Sequence, residues 1–315
     1  MKGPLISVVM ATRNRQKLLT EAVKSIQDQT FPNFEIIIVD DASSDGTSAV
    51  ISEMISHDPR IRSVRSEKNV GPGAARNLGF DLAKGKYIAI MDDDDLADAH
   101  RLESQLQGFN ENPEAKLVFS SVAWVDDDLN PTNIFPGIVA KGLFPTDPGD
   151  VFRLLYLESN KIPNATIMFL RELAVEYRYI DYPWIGEDWY FCMQLAASGI
   201  KMSAISTSLL LVRRGKNRQG LMADSTKVAF QAQRKVLEMM RKWLAEECID
   251  EFDDLHKPAL SNQIIRESRH FIGIKGLSML LQAFLIWPGN PKVKEQLRWY
   301  FDKLRDKQSG RKGAV

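Results

Sequence analysis

"YIAIMDDDD", Tyr87 to Asp95, is an apolar run that stops at four consecutive aspartates. The apolar part has the content of a buried strand, and carboxylates crowded at its end repel one another, so a cation must offset their proximity. Hard oxygen donors in so short a stretch suit Mn²⁺ or Mg²⁺, which takes one or two carboxylates and leaves its other positions to water or phosphate oxygens. A metal held in that way points to a phosphorylated substrate. The alternative is that the aspartates are solvated loop charges, one of them an N-cap for a helix over Leu96 to Phe109.

Working outward, the same strand-then-polar-cluster pattern recurs. Ile6 to Met10 is a β-branched strand followed by Thr12 to Arg15, and Phe34 to Val39 is an almost pure apolar strand followed by Asp40 and Asp41. Helical periodicity separates these runs at Gln16 to Gln27, Thr47 to Ser56 and Ala74 to Ala83, with another strand at Ile61 to Val64. Such alternation predicts β-α units around a mainly parallel sheet, whose ligands lie at the carboxyl ends of the strands. Beyond Lys116 the expected strand Leu117 to Ala123 gives way to an irregular stretch, Asn130 to Gly149, and a mixed segment to Tyr182. A helix over Glu187 to Ser198 and a strand within Met202 to Val212 follow, and from Leu221 the chain reads as successive amphipathic helices.

Composition narrows the function. At 315 residues and 44% hydrophobic content, the chain can bury one large domain with an appendage. Its 41 Lys and Arg balance 41 Asp and Glu, so no nucleic-acid partner is expected. Two cysteines, Cys192 and Cys248, exclude a disulfide framework and fit a reducing compartment, and the four histidines show no zinc spacing. The first strand follows almost directly on Met1 with no charged leader, so no secretory signal is expected and the cytoplasm is the default location. Ile272 to Trp287, interrupted by Gly273, Lys275, Gly276 and Gln282, is too short and polar to span a bilayer.

Five segments in order carry a resemblance: "ISVVMATRNR" (Ile6 to Arg15), "IIIVDDASSDGT" (Ile36 to Thr47), "NVGPGAARNLG" (Asn69 to Gly79), "YIAIMDDDD" (Tyr87 to Asp95) and "GEDWYFCMQLAASG" (Gly186 to Gly199). Together they resemble the family 2 glycosyltransferases of GT-A fold over roughly the first two thirds of the chain. The resemblance implies a Rossmann-like three-layer α/β/α domain over residues 1–220, with a helical C-terminal extension over 221–315. It further implies a metal-dependent, inverting transfer of sugar from a nucleoside-diphosphate donor, UDP favoured, to a hydroxyl on a glycan or lipid-linked acceptor.

Carried over residue by residue, the family pattern assigns Asp40 and Asp41 to the base and ribose, with Thr12 and Arg13 beside the same base. Asp41 is the stronger candidate of the pair, while "SSDGT" reads as a turn capping the next helix through Ser44 or Asp45. Gly71 to Asn77 falls over the nucleotide, with Arg76 near phosphate or ribose, or paired with the aspartate cluster. Gly71 and Gly73 have the first two spacings of a dinucleotide fingerprint, but Arg76 stands where its third glycine belongs, so NAD or flavin binding is not expected. Asp92 and Asp94 align with the Asp-x-Asp metal motif: Asp94 is the first choice as ligand of Mn²⁺ or Mg²⁺, Asp92 lies near ribose or metal-bound water, and Asp93 contributes. Asp95 is left to cap the next helix.

Asp188 matches the catalytic base, with Glu187 orienting the acceptor and Trp184 and Trp189 as platforms for sugar rings. The alternative is that both carboxylates only favour a helix N-terminus. "LVRRGKNRQG" (Leu211 to Gly220) offers Arg213, Arg214, Lys216 and Arg218 as a basic clamp on the diphosphate, although the histidine common at that place in the family is absent. In the tail, Trp287, Trp299, Tyr300 and Phe301 with neighbouring basic residues would suit peripheral contact at the inner face of a membrane, or simply packing. A catalytically degenerate nucleotide-sugar-binding or scaffold protein is the competing reading, and a sugar nucleotidyltransferase a further one.

Overall fold

The computed structural model describes residues 3–132, 137–181, 185–214, 226–271 and 274–308. In chain order the first part runs β1 (Ile6–Thr12), α1 (Gln16–Gln27), β2 (Phe34–Asp40), α2 (Thr47–His57), β3 (Ile61–Arg65), α3 (Pro72–Leu82), β4 (Tyr87–Asp92), β5 (Leu96–Ala97) and α4 (Arg101–Glu111). It continues through β6 (Leu117–Val125), α5 (Pro148–Glu158), β7 (Met168–Leu170), α6 (Leu173–Glu176), α7 (Glu187–Ala197) and β8 (Met202–Arg213). The helices α8 (Thr226–Glu246), α9 (His256–Ser268), α10 (Ile274–Ile286) and α11 (Pro291–Gln308) complete it.

The strands form one sheet in the order β3-β2-β1-β4-β7-β6-β8-β5. β3, β2, β1 and β4 are mutually parallel, and β6 is parallel to β8, whereas β7 and β5 run antiparallel to their neighbours. The mainly parallel α/β class follows from strands buried on both faces, β2 being buried along its whole length. Alternate side chains serve opposite layers. Ile6, Val8 and Met10 of β1, with Ile36, Ile38, Ala89 and Met91, pack against Leu19, Val23 and Ile26 of α1, Ile51 of α2 and Leu102 of α4. On the other face α3 lies so close that a Cβ on Gly79 would meet Val9 Cγ1 at 2.4 Å. The close helix-to-strand approach therefore falls at Gly79, one turn beyond Arg76.

Two readings are corrected here. The helix expected from Leu96 begins at Arg101, with His100 at its N-cap, because Leu96 and Ala97 pair with Leu211 and Leu210 of β8 as an edge strand. Asp95 accordingly caps no helix; its carboxylate accepts the Arg213 backbone N–H at 3.2 Å. β7, only three residues long, fills the gap between β4 and β6 and gave no periodic signal within the mixed segment.

The chain divides into two compact units, one of Met1–Phe152 with Asn160–Ala223, the other of Arg153–Ser159 with the residues from Asp224 onward. The boundary read at 220/221 lies outside the described residues. The second unit has its own core of Ile264, Ile265, Leu280, Ala283, Val293 and Tyr300. Of the aromatics for which both membrane contact and packing were open, Tyr300 is buried in this core, while Trp299 and Phe301 are exposed. Among the described residues no helix is long and apolar enough to cross a membrane.

Candidate active site

Register places the polar clusters side by side. Thr12 pairs with Asp40 and Ala11 with Asp92, so the loops after β1, β2 and β4 open on one edge of the sheet. Asp40 is buried and fully engaged: Oδ1 accepts the Ser43 N–H at 2.8 Å, and Oδ2 accepts Ser48 Oγ at 2.5 Å and Arg65 Nη1 at 2.6 Å. Burial works against its charge, but these bonds and Arg65 outweigh it and hold the carboxyl below its ordinary range. Asp41 grips the segment leading into α3, its Oδ1 accepting Ser66 Oγ at 3.0 Å and the Val70 N–H at 2.8 Å, its Oδ2 the Gly71 N–H at 3.0 Å. Gly71 takes φ +85° there, a conformation that favours glycine, and Pro72 starts the helix.

Two further residues in left-handed backbone mark the same edge. Asn14 and Ala42 both have φ +55°. Asn14 Oδ1 accepts the Ser44 N–H at 2.7 Å and Ser43 Oγ accepts the Asn14 N–H at 3.0 Å, which stitches the first two loops together. For an alanine such backbone is costly, and it persists because the surrounding bonds over-determine it. Thr12 is buried at this junction and Arg13 is exposed beside it.

The aspartate turn after β4 is ringed by arginines. Arg76 donates from Nη2 to Asp92 Oδ1 at 2.8 Å and from Nη1 to Glu187 Oε1 at 3.0 Å, joining residues 111 apart in sequence. It is buried, and its guanidinium lies 5.4 Å from the Tyr179 ring centroid. Burial disfavours its charge, yet Asp92, Tyr179 and Glu187 together raise its proton affinity further. Arg15 Nη1 lies 3.7 Å from Asp94 Oδ2. Arg213 donates to the Asp94 carbonyl at 3.1 Å and pairs with Glu21. Arg101, wholly buried beneath the turn, donates to the Ile90 carbonyl at 2.6 Å; burial lowers its pKa to about 10 against the opposing pull of Asp92 and Asp95.

The cation demanded by the aspartate run is therefore supplied in part by the protein itself. The offset is incomplete: burial and the charge of Asp94 push the Asp93 carboxyl up to about 7. A surplus of negative charge on hard oxygen donors at one turn is what a divalent cation fits. Among the described residues no three His, Cys, Asp or Glu gather into a cage.

α7 brings the second acidic pair. Gly186 at φ +89° caps it, so Glu187 and Asp188 occupy its first turn, where carboxylates also favour the helix dipole. Gly73 admits this segment: a Cβ there would meet the Ile180 carbonyl oxygen at 2.6 Å and Glu187 Cγ at 3.2 Å. Glu187 is buried, and burial followed by the charge of Asp188 raises its pKa, with Arg76 pulling the other way. Asp188 is likewise raised, first by burial. Its Oδ1 accepts the Trp189 N–H at 2.8 Å and its Oδ2 accepts Asn160 Nδ2 at 2.9 Å.

The structure thus gathers Arg76, Asp92 and Glu187 directly, with Asp188 following Glu187 in α7, while Asp93 and Asp94 occupy the adjoining turn, to which Arg213 of β8 donates. Asp40, Asp41 and Gly71 form the neighbouring loop. The Arg214 guanidinium lies 4.4 Å from the Trp124 ring centroid. Trp189 is buried in the core, which corrects its reading as a sugar platform; Trp184, Lys216 and Arg218 lie outside the described residues. Sequence reading missed Arg101 and Asn160. Arg101 gave no signal beyond an arginine opening a helix, and Asn160 none at all, since its role depends on a distant helix.

With the geometry in place, comparison with known proteins identifies the fold family. The profile described as glycosyl transferase family 2 matches residues 7–154. Over that segment, a little under half of the chain, the protein is similar to glycosyl transferase family 2. An uncharacterized glycosyltransferase of Methanocaldococcus jannaschii is 42% identical over 132 residues, covering 41% of this chain and 46% of that protein. The GalNAc(5)-diNAcBac-PP-undecaprenol beta-1,3-glucosyltransferase of Campylobacter jejuni is 40% identical over 109 residues, 34% of this chain and 35% of its own length. The chain therefore spans less than half the length of these relatives. The crystal structure of S. aureus TarS 1–349 in complex with UDP superposes with a TM-score of 0.57 at 19% identity, covering 93% of this chain and 91% of that one, which confirms the GT-A fold.

Proposed function

We propose that this protein is a family 2 glycosyltransferase, metal-dependent and inverting, with residues 1–220 as its catalytic domain. It moves a sugar from a nucleoside-diphosphate donor to a hydroxyl on a glycan or lipid-linked acceptor of the cell envelope. The observation that carries the reading is the Arg76 bridge, which holds the Asp92 turn and the first turn of α7 within the span of one guanidinium. A leaving-group site and a base site that close together are what a single displacement at an anomeric carbon requires. UDP is favoured as the nucleotide because the TarS structure holds it, and a lipid-linked acceptor because the Campylobacter relative is named for an undecaprenol-linked one.

In this scheme Asp41 and Thr12, with Arg13 at the rim, meet the base and ribose, and Asp40 braces the loop that carries Asp41. Asp94 and Asp92 would hold Mn²⁺ or Mg²⁺, which when bound supplies positive charge to the departing diphosphate. Arg213 fixes the turn on which those ligands stand. Asp188 takes the acceptor hydroxyl proton as the new carbon–oxygen bond forms and the bond to the diphosphate breaks. Its raised proton affinity brings it closer to the range in which a general base works best at neutral pH. Glu187, held by Arg76, orients the acceptor.

Replacing Asp188→Asn tests the assignment. Release of UDP from a UDP-sugar should fall by roughly 10²- to 10⁴-fold, while stabilisation of the folded protein by UDP with Mn²⁺ is retained. Equal turnover in the two proteins would remove Asp188 as the base, and activity absent from both would favour a degenerate, binding-only protein.

A further inference from the structure

The base itself has a partner that no motif announces. Asn160 follows α5 and Ser159, whose φ of +100° is an unusual conformation for a serine. Its two amide ends are committed in opposite directions: Oδ1 accepts the Ile162 N–H at 3.0 Å, and Nδ2 donates to Asp188 Oδ2 at 2.9 Å. A flip of the amide would set its oxygen against the carboxylate and its NH₂ against the Ile162 N–H, so the turn dictates which end faces Asp188. The chain just before it is fixed as well. Arg266 Nη1 donates to the Leu157 and Glu158 carbonyls at 3.3 and 3.1 Å, and Asn262 Nδ2 to Leu157 at 3.2 Å, closing the end of α5.

On the Asp188 side, Oδ1 is occupied by the Trp189 N–H, an orphan donor of the helix's first turn. Oδ2 accepts Asn160 in the same way, so each oxygen carries one hydrogen bond and keeps one lone pair for a proton. From these contacts we infer that Asn160 is a positioning residue, which fixes the Asp188 carboxylate in one rotamer and limits how strongly that carboxylate holds a proton. The inference rests on reading Asp188 as the base. Other charged or titratable groups acting on Asp188 are Glu187 and Cys192 on its own helix, Arg76 of α3, Asp92 of β4 and Tyr179. Asn160 differs from them as a neutral donor whose removal takes a hydrogen bond from the ionised form without changing the charge of the site.

The test is the titration of Asp188 in full-length protein labelled with ¹³C-aspartate, its Cγ resonance assigned from the Asp188→Asn spectrum. In Asn160→Ala the midpoint should rise by about one pH unit, because a bond to the charged form is lost. The acid limb of the UDP-release profile should move the same way, with kcat lowered and KM for the UDP-sugar little changed. Asn160→Asp, isosteric but acidic, should raise the midpoint further, and thermal scans establish that both variants fold. An unchanged Asp188 midpoint in folded Asn160→Ala overturns the inference. If the midpoint moves while Asp188→Asn retains full turnover, the positioning stands and the reading of Asp188 as base fails.

Discussion

The carboxylates after β2 and those after β4 and at the start of α7 flank the same central strand, yet the protein treats them in opposite ways. Asp40 and Asp41 are met by backbone N–H groups and hydroxyls, with Arg65 at the edge, and Asp40 is held ionised. Around Asp92 to Asp95 the offset comes from long arginine side chains, and Asp93, Glu187 and Asp188 retain raised proton affinities. Hydrogen bonds from fixed backbone make a carboxylate a structural anchor. Paired charges in a buried setting leave it responsive to whatever enters, because each partner also depends on the others.

Breaking that difference at Arg76 should have the largest effect on stability. Arg76→Ala leaves buried Glu187 and half-buried Asp92 without their shared cation, and breaking the buried Arg76–Glu187 pair costs about 3–5 kcal/mol. Urea denaturation followed by circular dichroism measures it, and a loss below 1 kcal/mol would mean that the bridge is dispensable. A smaller loss is expected from Asp41→Asn, which turns an NH₂ toward one of the N–H groups of Val70 and Gly71 and costs about 1–3 kcal/mol. Urea denaturation measures it in the same way, and an unchanged midpoint would show that Asp41 does not anchor the segment before α3.

The pH dependence of stability sharpens the comparison at smaller scale. Glu187 has a folded pKa raised above its ordinary 4.5, so the folded state keeps a proton that the unfolded chain has released. Stability from this group is complete below that ordinary value and is lost as pH rises through the folded value. Asp40, with a lowered folded pKa, acts oppositely: its contribution is present above its ordinary 3.8 and lost as pH falls through the folded value. Glu187→Gln should therefore flatten the decline in stability between about pH 4.5 and neutrality and leave the acid-side decline in place. An unaltered slope would show that Glu187 is not the group retaining the proton.

Much of this was legible in the sequence, and the exceptions share a cause. α1 was read with its observed limits, and β1, β2, β3 and β4 within two residues at either end, because each is an uninterrupted periodic or apolar run. The acidic clusters were legible as strand ends. Hidden were features set by partners far along the chain: β7, the pairing of Leu96 with β8, Arg101 beneath the turn and Asn160 beside Asp188. Of the arginines around the crowded aspartates, Arg76 was legible as a possible partner, whereas nothing local shows that Arg15, Arg101 and Arg213 also converge there.

The central claim is that the surplus charge of the aspartate turn receives a metal together with a nucleoside diphosphate. Thermal unfolding of the purified chain with UDP, GDP, dTDP or NAD, each with and without Mn²⁺, tests it most directly, since a ligand that binds only the folded state raises the melting temperature. The account predicts a rise with one nucleoside diphosphate, UDP first, that requires Mn²⁺ and disappears in Asp94→Ala. A rise with NAD alone, or no metal-dependent rise with any of the nucleotides, would contradict it.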